Sequence, residues 1–281
     1  MTESGNDMAS ERSVRSIFNY TRDTGVAPEV YFYEPLPGLE SRRPGDDPHE
    51  MTVHDGWGSA ALFSLDREGF AFRDFAIPFQ DWDDDRAIAT QVYGPVTEFV
   101  REQVGAKRVV VFDHTIRAKV NERQQTSEYS TSRRAPVMVV HCDYTPHSGP
   151  LRVRQLLPEE ADRLLARRVA FYNFWKPFRH TVEERPLAMC DATSAIDEDF
   201  IIMKLRYRDR DGEIFAMRHS PRHHWWYFPQ MRPDHAILLK TYDSETDGRA
   251  RFIGHSAFDD PSTPPDAPMR ESIEIRTIAF Y

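Results

Sequence analysis

Residues 137–145 read VMVVHCDYT, a β-branched, apolar run that ends on an imidazole and a carboxylate. Side chains alternate across a strand, so Val137, Val139, His141 and Asp143 share one face, and Met138, Val140 and Cys142 share the other. The first face closes on two metal-ligating groups roughly 7 Å apart along the backbone, near enough to converge on one ion. By the same parity Cys142 points away and reads as a core residue. A His-x-Asp pair is common by chance, so its meaning depends on the chain around it.

That chain is β-rich from position 108 onward. Strands are expected over 108–114, 137–143, 169–175, 187–190, 200–207, 214–218, 225–228, 236–242, 252–257 and 271–280. Pro and Gly mark the connections, and the spacing suits an antiparallel sandwich or barrel. Before this region, Ile88, Val92, Val96, Phe99, Val100 and Val104 form one stripe at helical period, with Pro95 expected to kink the helix and Gly105 to end it. A short helix opened by Pro158-Glu159-Glu160 precedes the third strand. Residues 1–17 read as a disordered tail. Residues 18–281 read as a single domain, in which a Pro-, Tyr- and acid-rich arm over 18–60 lies along the core. Helices do not alternate regularly with strands, which disfavours a Rossmann sheet. Walker A, GxGxxG, GxSxG and HExxH sequences are absent.

Composition narrows the function classes. The chain has 281 residues, 40% hydrophobic and 29% charged, enough for a sizeable core. A net charge of −9 without a basic tract argues against a nucleic-acid partner. No apolar run approaches the ~18 residues of a membrane span, and the N-terminal residues lack a signal peptide's apolar segment. Two cysteines, Cys142 and Cys190, make neither a disulfide framework nor a cysteine zinc site, and a reducing cytoplasm is the expectation. A homodimer, the commonest oligomer, stays open.

A two-histidine, one-carboxylate face leaves three octahedral positions free on Fe(II), enough for a bidentate cosubstrate and dioxygen. The second histidine must come from another strand. His49 and His54 sit in the arm, and His223 and His224 adjoin an aromatic run. His180, His219 and His235 stand beside Arg or Pro in polar turns. His255 differs: it lies on a strand, followed by a Pro-rich loop and the last strand. There Arg270, Ser272, Glu274 and Arg276 share a face, and a guanidinium would sit one strand from the metal. Such a planar, permanently charged fork suits the far carboxylate of a cosubstrate. The bland alternative is a surface ladder of Arg270, Glu274 and Arg276.

The segments FDHTIR (112–117), HCDYT (141–145), NFWKP (173–177), PLAMCD (186–191), WWYFPQM (225–231), LLKTYDS (238–244), HSAFDDP (255–261) and RESIEIR (270–276) together resemble the AsaB/CmcJ-type hydroxylase/desaturase family. The resemblance spans most of the chain. It implies a mainly β, double-stranded β-helix (jelly-roll, cupin-like) core with flanking α-helices. It also implies C–H oxidation (hydroxylation, desaturation or oxidative cyclisation) of a small molecule in natural-product biosynthesis, with Fe(II), 2-oxoglutarate and O2. Carried over, His141, Asp143 and His255 match the metal triad, and Arg270 with Ser272 matches the Arg-x-Ser pair for 2-oxoglutarate. The fifteen residues between His255 and Arg270 exceed the usual spacing in the wider superfamily, which keeps Arg276 open. Lys176 departs from the arginine common in the family's W-R-P segment.

Other residues have weaker claims. Asn173 and Trp175 share a strand face and are candidates to reach the cosubstrate. Arg117, with His114, Tyr144, and the pair Lys240 and Tyr242 are candidate substrate contacts, and each also reads as ordinary structure. Two rival readings are a cupin-like oxidase or isomerase that does not use 2-oxoglutarate, and a metal-free jelly-roll binding module.

Overall fold

The central strands show why this chain makes two facing sheets. β8 (Val169–Pro177) is buried along its whole length, and β15 (Ser272–Phe280) at every residue except Arg276. Strands covered on both faces lie between layers. The computed structural model, which describes residues 12–34, 42–118 and 133–281, places these two at the middle of a six-stranded sheet. Its order is β4 (Phe70–Asp74), β13 (His235–Asp243), β8, β15, β5 (Arg108–Arg117) and β6 (Arg133–Arg134).

A nine-stranded sheet faces it. In spatial order this contains β1 (Ser13–Tyr20), β3 (Asp47–Asp55), β12 (Trp225–Tyr227), β9 (Leu187–Cys190), β14 (His255–Ala257), β7 (His141–Cys142), β11 (Asp211–Met217), β10 (Phe200–Arg206) and β2 (Glu29–Tyr31). Between the sheets, Phe70, Trp175, Ile237 and Leu239 pack against Met189, Trp226 and Phe228. Each large apolar side chain removed from water there contributes about 1.5–3 kcal/mol. This apolar plug fills one end of the space, and the polar site lies beyond it. The architecture is the double-stranded β-helix expected from the sequence.

Helices cover the outer face of the six-stranded sheet. Expected as one kinked helix, 85–104 forms α1 (Asp85–Gln91) and α2 (Tyr93–Val104), which share Val92 as a cap. Pro95 has no N–H to donate and would clash inside a continuous helix, whereas in a first turn it costs nothing. The chain therefore restarts there. Asp84 caps α1 by accepting from the Arg86 and Ala87 amides, and Gly105 ends α2 in the left-handed conformation. Ile88, Val96 and Val100 pack on Phe174, Leu238 and Ile275. The helix expected after Pro158 is α4 (Ala161–Leu165); α3 (Ser148–Leu156) precedes it and was not foreseen.

The N-terminal expectation needs correction. Residues 1–11 of the expected tail lie outside the described residues, but 13–17 are strand, part of β1. The arm over 18–60 does not simply lie along the core. It supplies β2, β3 and the last three residues of β1, with β2 pairing with β10 and β3 with β12.

Candidate metal centre

Strand register brings the two histidines together. His255 on β14 is the direct Cα partner of His141 on β7, and their ring centroids lie 4.4 Å apart. Only His141 and Cys142 of the quoted stretch are paired as a strand, yet the alternation persists. Val137, Val139, His141 and Asp143 line one cavity, while Cys142 is buried elsewhere, its thiol 3.3 Å from the Thr241 carbonyl. Asp143 stands just past the end of β7. One ligating atom from each of His141, Asp143 and His255 lies within 4.8 Å of the others.

The neighbours prepare these groups as ligands. His141 Nδ1 donates to the Val139 carbonyl at 2.8 Å, and His255 Nδ1 to the Ile253 carbonyl at 3.2 Å. A carbonyl can only accept, so each Nδ1 carries the proton and each Nε2 keeps a lone pair. Burial, with His255 close by, pushes the His141 imidazole down to about 4, so the ring is neutral near pH 7. Burial alone would raise the Asp143 carboxyl. The neighbouring His255, the permanently charged Arg276 and His141 outweigh it and hold the group well below the usual carboxylate range. From the opposite sheet, Asn173 on β8 donates its amide to Asp143 Oδ2 at 2.6 Å and fixes the carboxylate's rotation. Two imidazole nitrogens and one carboxylate on a half-dry wall fit a first-row divalent ion with open positions.

The two candidate arginines, Arg270 just before β15 and Arg276 within it, differ in what holds them. Arg276 lines the cavity but is occupied: it donates to Thr115 Oγ1 at 2.9 Å, to Asp113 at 3.2 Å and to the buried Glu274. Arg270 is 3% exposed and lies over the Trp175 ring, 5.6 Å from its centroid. One of its terminal nitrogens donates to the Arg185 carbonyl, and its backbone amide donates to Glu184 at 3.3 Å. Its Nε, the Ser272 hydroxyl and Asn173 Oδ1 are buried without a hydrogen-bond partner among the described residues. Buried polar atoms are almost always bonded, so three orphans mark room for a polar ligand. Burial and the nearby Arg117 charge press the Arg270 guanidinium down, against Glu274 and Glu184. A carboxylate beside it would relieve that. These residues fit a cosubstrate with a far carboxylate.

The remaining candidates separate. Tyr144 and Arg117 line the cavity. His114 faces the helices instead, bonded to Tyr93 at 2.7 Å and Asp85 at 3.2 Å. Lys240 and Tyr242 do not face the cavity together, contrary to the expectation from alternation. A bulge between them breaks the parity. Lys240 is fully buried in an ion pair with Asp66 and another with Asp243 at 3.1 Å, and Tyr242 packs against Phe171 and Phe252. Lys176 lies on the outer face, its amine 5.4 Å from the Phe75 ring centroid and 5.7 Å from that of Trp82. Sequence reasoning missed Arg134, paired opposite Arg117 across β5 and β6, and the Glu184–Arg185 turn that holds Arg270. Arg185 sits at φ 47, a left-handed backbone that no local motif announced.

Known proteins resemble this chain along most of its length. Residues 18–280 match the family model described as Oxidoreductase/YMDC permease-like domain. The hydroxylase/desaturase efuI of Hormonema carpetanum is 30% identical over 249 residues, 82% of this chain and 83% of that protein. The Fe(II)/2-oxoglutarate-dependent dioxygenase nvfI of Aspergillus novofumigatus is 32% identical over 266 residues, 92% of this chain and 93% of that protein. The solved structure of the iron and alpha-ketoglutarate-dependent endoperoxidase NvfI superposes with a TM-score of 0.84 at 28% identity, covering 96% of this chain and 97% of that one. The chain belongs to the AsaB/CmcJ-type hydroxylase/desaturase family of Fe(II)/2-oxoglutarate-dependent oxygenases.

Proposed function

We propose that the protein oxidises a C–H bond of a small molecule in natural-product biosynthesis, with His141, Asp143 and His255 holding Fe(II) and with Arg270 and Ser272 holding the far carboxylate of 2-oxoglutarate. The observation that carries the reading is the convergence of three ligating atoms within 4.8 Å. The unpartnered Arg270 and Ser272 atoms, at the start of β15, support the cosubstrate assignment. Iron with 2-oxoglutarate and dioxygen supplies the oxidant for an unactivated C–H bond, and the cosubstrate leaves as succinate and carbon dioxide.

The chain's own residues bind, orient and exclude. The two imidazoles, each donating Nδ1 to a backbone carbonyl, present their Nε2 atoms toward Asp143 and each other. Asn173 keeps Asp143 in one rotamer, so the carboxylate offers one oxygen toward the histidines and the other to the amide. Trp175 closes the floor under Arg270 and keeps water from the guanidinium, where each charge-assisted bond is then worth about 1.5–3 kcal/mol. Arg276, already tied to Asp113, Thr115 and Glu274, neutralises the wall beside Asp143. The two cysteines are buried and free, which fits a reducing compartment. Among the described residues no helix is long and apolar enough to cross a membrane.

Succinate release from 2-oxoglutarate by the iron-loaded protein under oxygen tests the reading. It is expected in the unaltered protein and lost in Asp143→Ala. A protein that binds iron tightly yet releases no succinate is instead a cupin-like oxidase or isomerase.

A further inference from the structure

The cavity in front of His141 and Asp143 encloses about 840 Å³, the size of a small-molecule site. One wall is apolar, made by Val139, Met203, Ile214 and Tyr144. The other is cationic, and its arginines fall into two sorts. Arg276 and Arg206 are neutralised within the protein: Arg276 pairs with Asp113 and Glu274, Arg206 with Glu29 and Asp211. Among the described residues, Arg117 and Arg134 are not. They stand opposite each other at the ends of β5 and β6. Arg117 donates to the Ala135 carbonyl at 3.2 Å, and Arg134 lies over the Phe32 ring, 5.8 Å from its centroid. Among the described residues no carboxylate comes within ion-pairing distance of either. Two guanidiniums side by side repel each other, and one of them is half-buried, so the arrangement is costly without an anion. Burial does press the Arg117 charge down, with Arg276 and Arg134 adding to the effect and Glu274 and Asp143 opposing it.

We propose that the substrate is an amphipathic carboxylic acid: Arg117 and Arg134 bind its carboxylate, and its apolar body lies along Val139, Met203 and Ile214 with its far end at Asp143. The proposal rests on the oxygenase reading for the direction of the apolar body, and the anion site itself does not need iron. A paired guanidinium fork suits a carboxylate, and the apolar wall would discriminate against small hydrophilic acids.

Two carboxylates could answer to these arginines, that of the substrate and that of 2-oxoglutarate, and calorimetry separates them. The probes are 4-phenylbutyrate and its neutral isostere 4-phenylbutanamide, titrated into the full chain with and without Fe(II) and 2-oxoglutarate under argon. The acid is expected to bind at least about tenfold tighter than the amide, since one charge-assisted contact is worth that much. Arg134→Gln and Arg117→Gln should each bring the two probes to within about threefold, and Arg134→Glu should reverse the preference. Affinity for 2-oxoglutarate should stay unchanged in all three. Arg134 is exposed on a two-residue edge strand, so its variants keep the fold even if Arg117→Gln does not. Equal binding of acid and amide by the unaltered protein overturns the proposal. So does a loss of 2-oxoglutarate affinity in Arg134→Gln with the acid preference kept, which would assign these arginines to the cosubstrate. An acid preference that persists without iron, in a protein that never binds 2-oxoglutarate, supports the anion site and removes only the oxygenase reading.

Discussion

Replacing Arg270 with leucine should all but abolish 2-oxoglutarate binding and leave the fold intact. The guanidinium is buried over Trp175, gives one bond to the Arg185 carbonyl, and keeps its Nε free. Two charge-assisted bonds to a carboxylate, at about 1.5–3 kcal/mol each, amount to about 3–6 kcal/mol, or 10²–10⁴ in affinity. Leucine retains the apolar contact with Trp175. The lost bond to Arg185 is offset by relief of a buried charge, so thermal unfolding of the metal-free protein should move by no more than about 1 kcal/mol. The Kd is read anaerobically from the metal-to-ligand charge-transfer band of the Fe(II) complex. Arg276→Leu is the contrasting variant: it leaves the buried Glu274 without its cation and should destabilise the protein by about 3–5 kcal/mol. A Kd in Arg270→Leu within threefold of the unaltered protein would refute the assignment. If Arg276→Leu folds normally and alone loses the band, the wrong arginine has been chosen.

Two stability predictions follow from the buried titrating groups. In the metal-free protein His141 is held at about 4, against about 6.5 in an unfolded chain. The unfolded state therefore takes up a proton that the folded state refuses. Stability is full above pH 6.5 and is lost as pH falls from there toward 4, by about 2 kcal/mol at pH 5. Denaturant unfolding in chelator at pH 7.5 and pH 5 should show that loss, and His141→Asn should lack it; an unchanged slope would contradict the burial argument. On the far face, burial pushes the Lys176 amine down to about 8 among Phe75 and Trp82, with Asp234 opposing weakly. Lys176→Met should raise stability by about 1–3 kcal/mol and leave the 2-oxoglutarate Kd unchanged. A destabilised variant would mean that the amine has a partner essential to the fold.

What could be read from the sequence was whatever depends on local period. The parity of 137–143 placed His141 and Asp143 on one face and Cys142 on the other, and that alternation survives although only two residues there are paired. β9 falls at 187–190, where four apolar residues stand between polar or Pro-containing neighbours. Other features depended on distant partners. β3 is a strand because it pairs with β1 and β12, and its own composition of Pro, His and acids does not say so. The bulge after Lys240 breaks parity within one strand, so Tyr242 packs with Phe171 and Phe252 while Lys240, alternating with Leu238 on the other face, enters an ion cluster. By sequence period Arg270 and Arg276 fall on one face, so period alone cannot separate them, and in the structure Arg270 lies just before β15. Asp113, Thr115 and Glu274 on one side and the Glu184–Arg185 turn on the other do so.

The decisive measurement is an anaerobic titration of the metal-free protein with Fe(II) in the presence of 2-oxoglutarate, followed by the charge-transfer band, for the unaltered chain and for His255→Ala. The account predicts a band that saturates at one iron per chain and is absent from the variant, because the histidine facing His141 across β7 and β14 completes the ligand set. An equally intense band at the same stoichiometry in His255→Ala would contradict it.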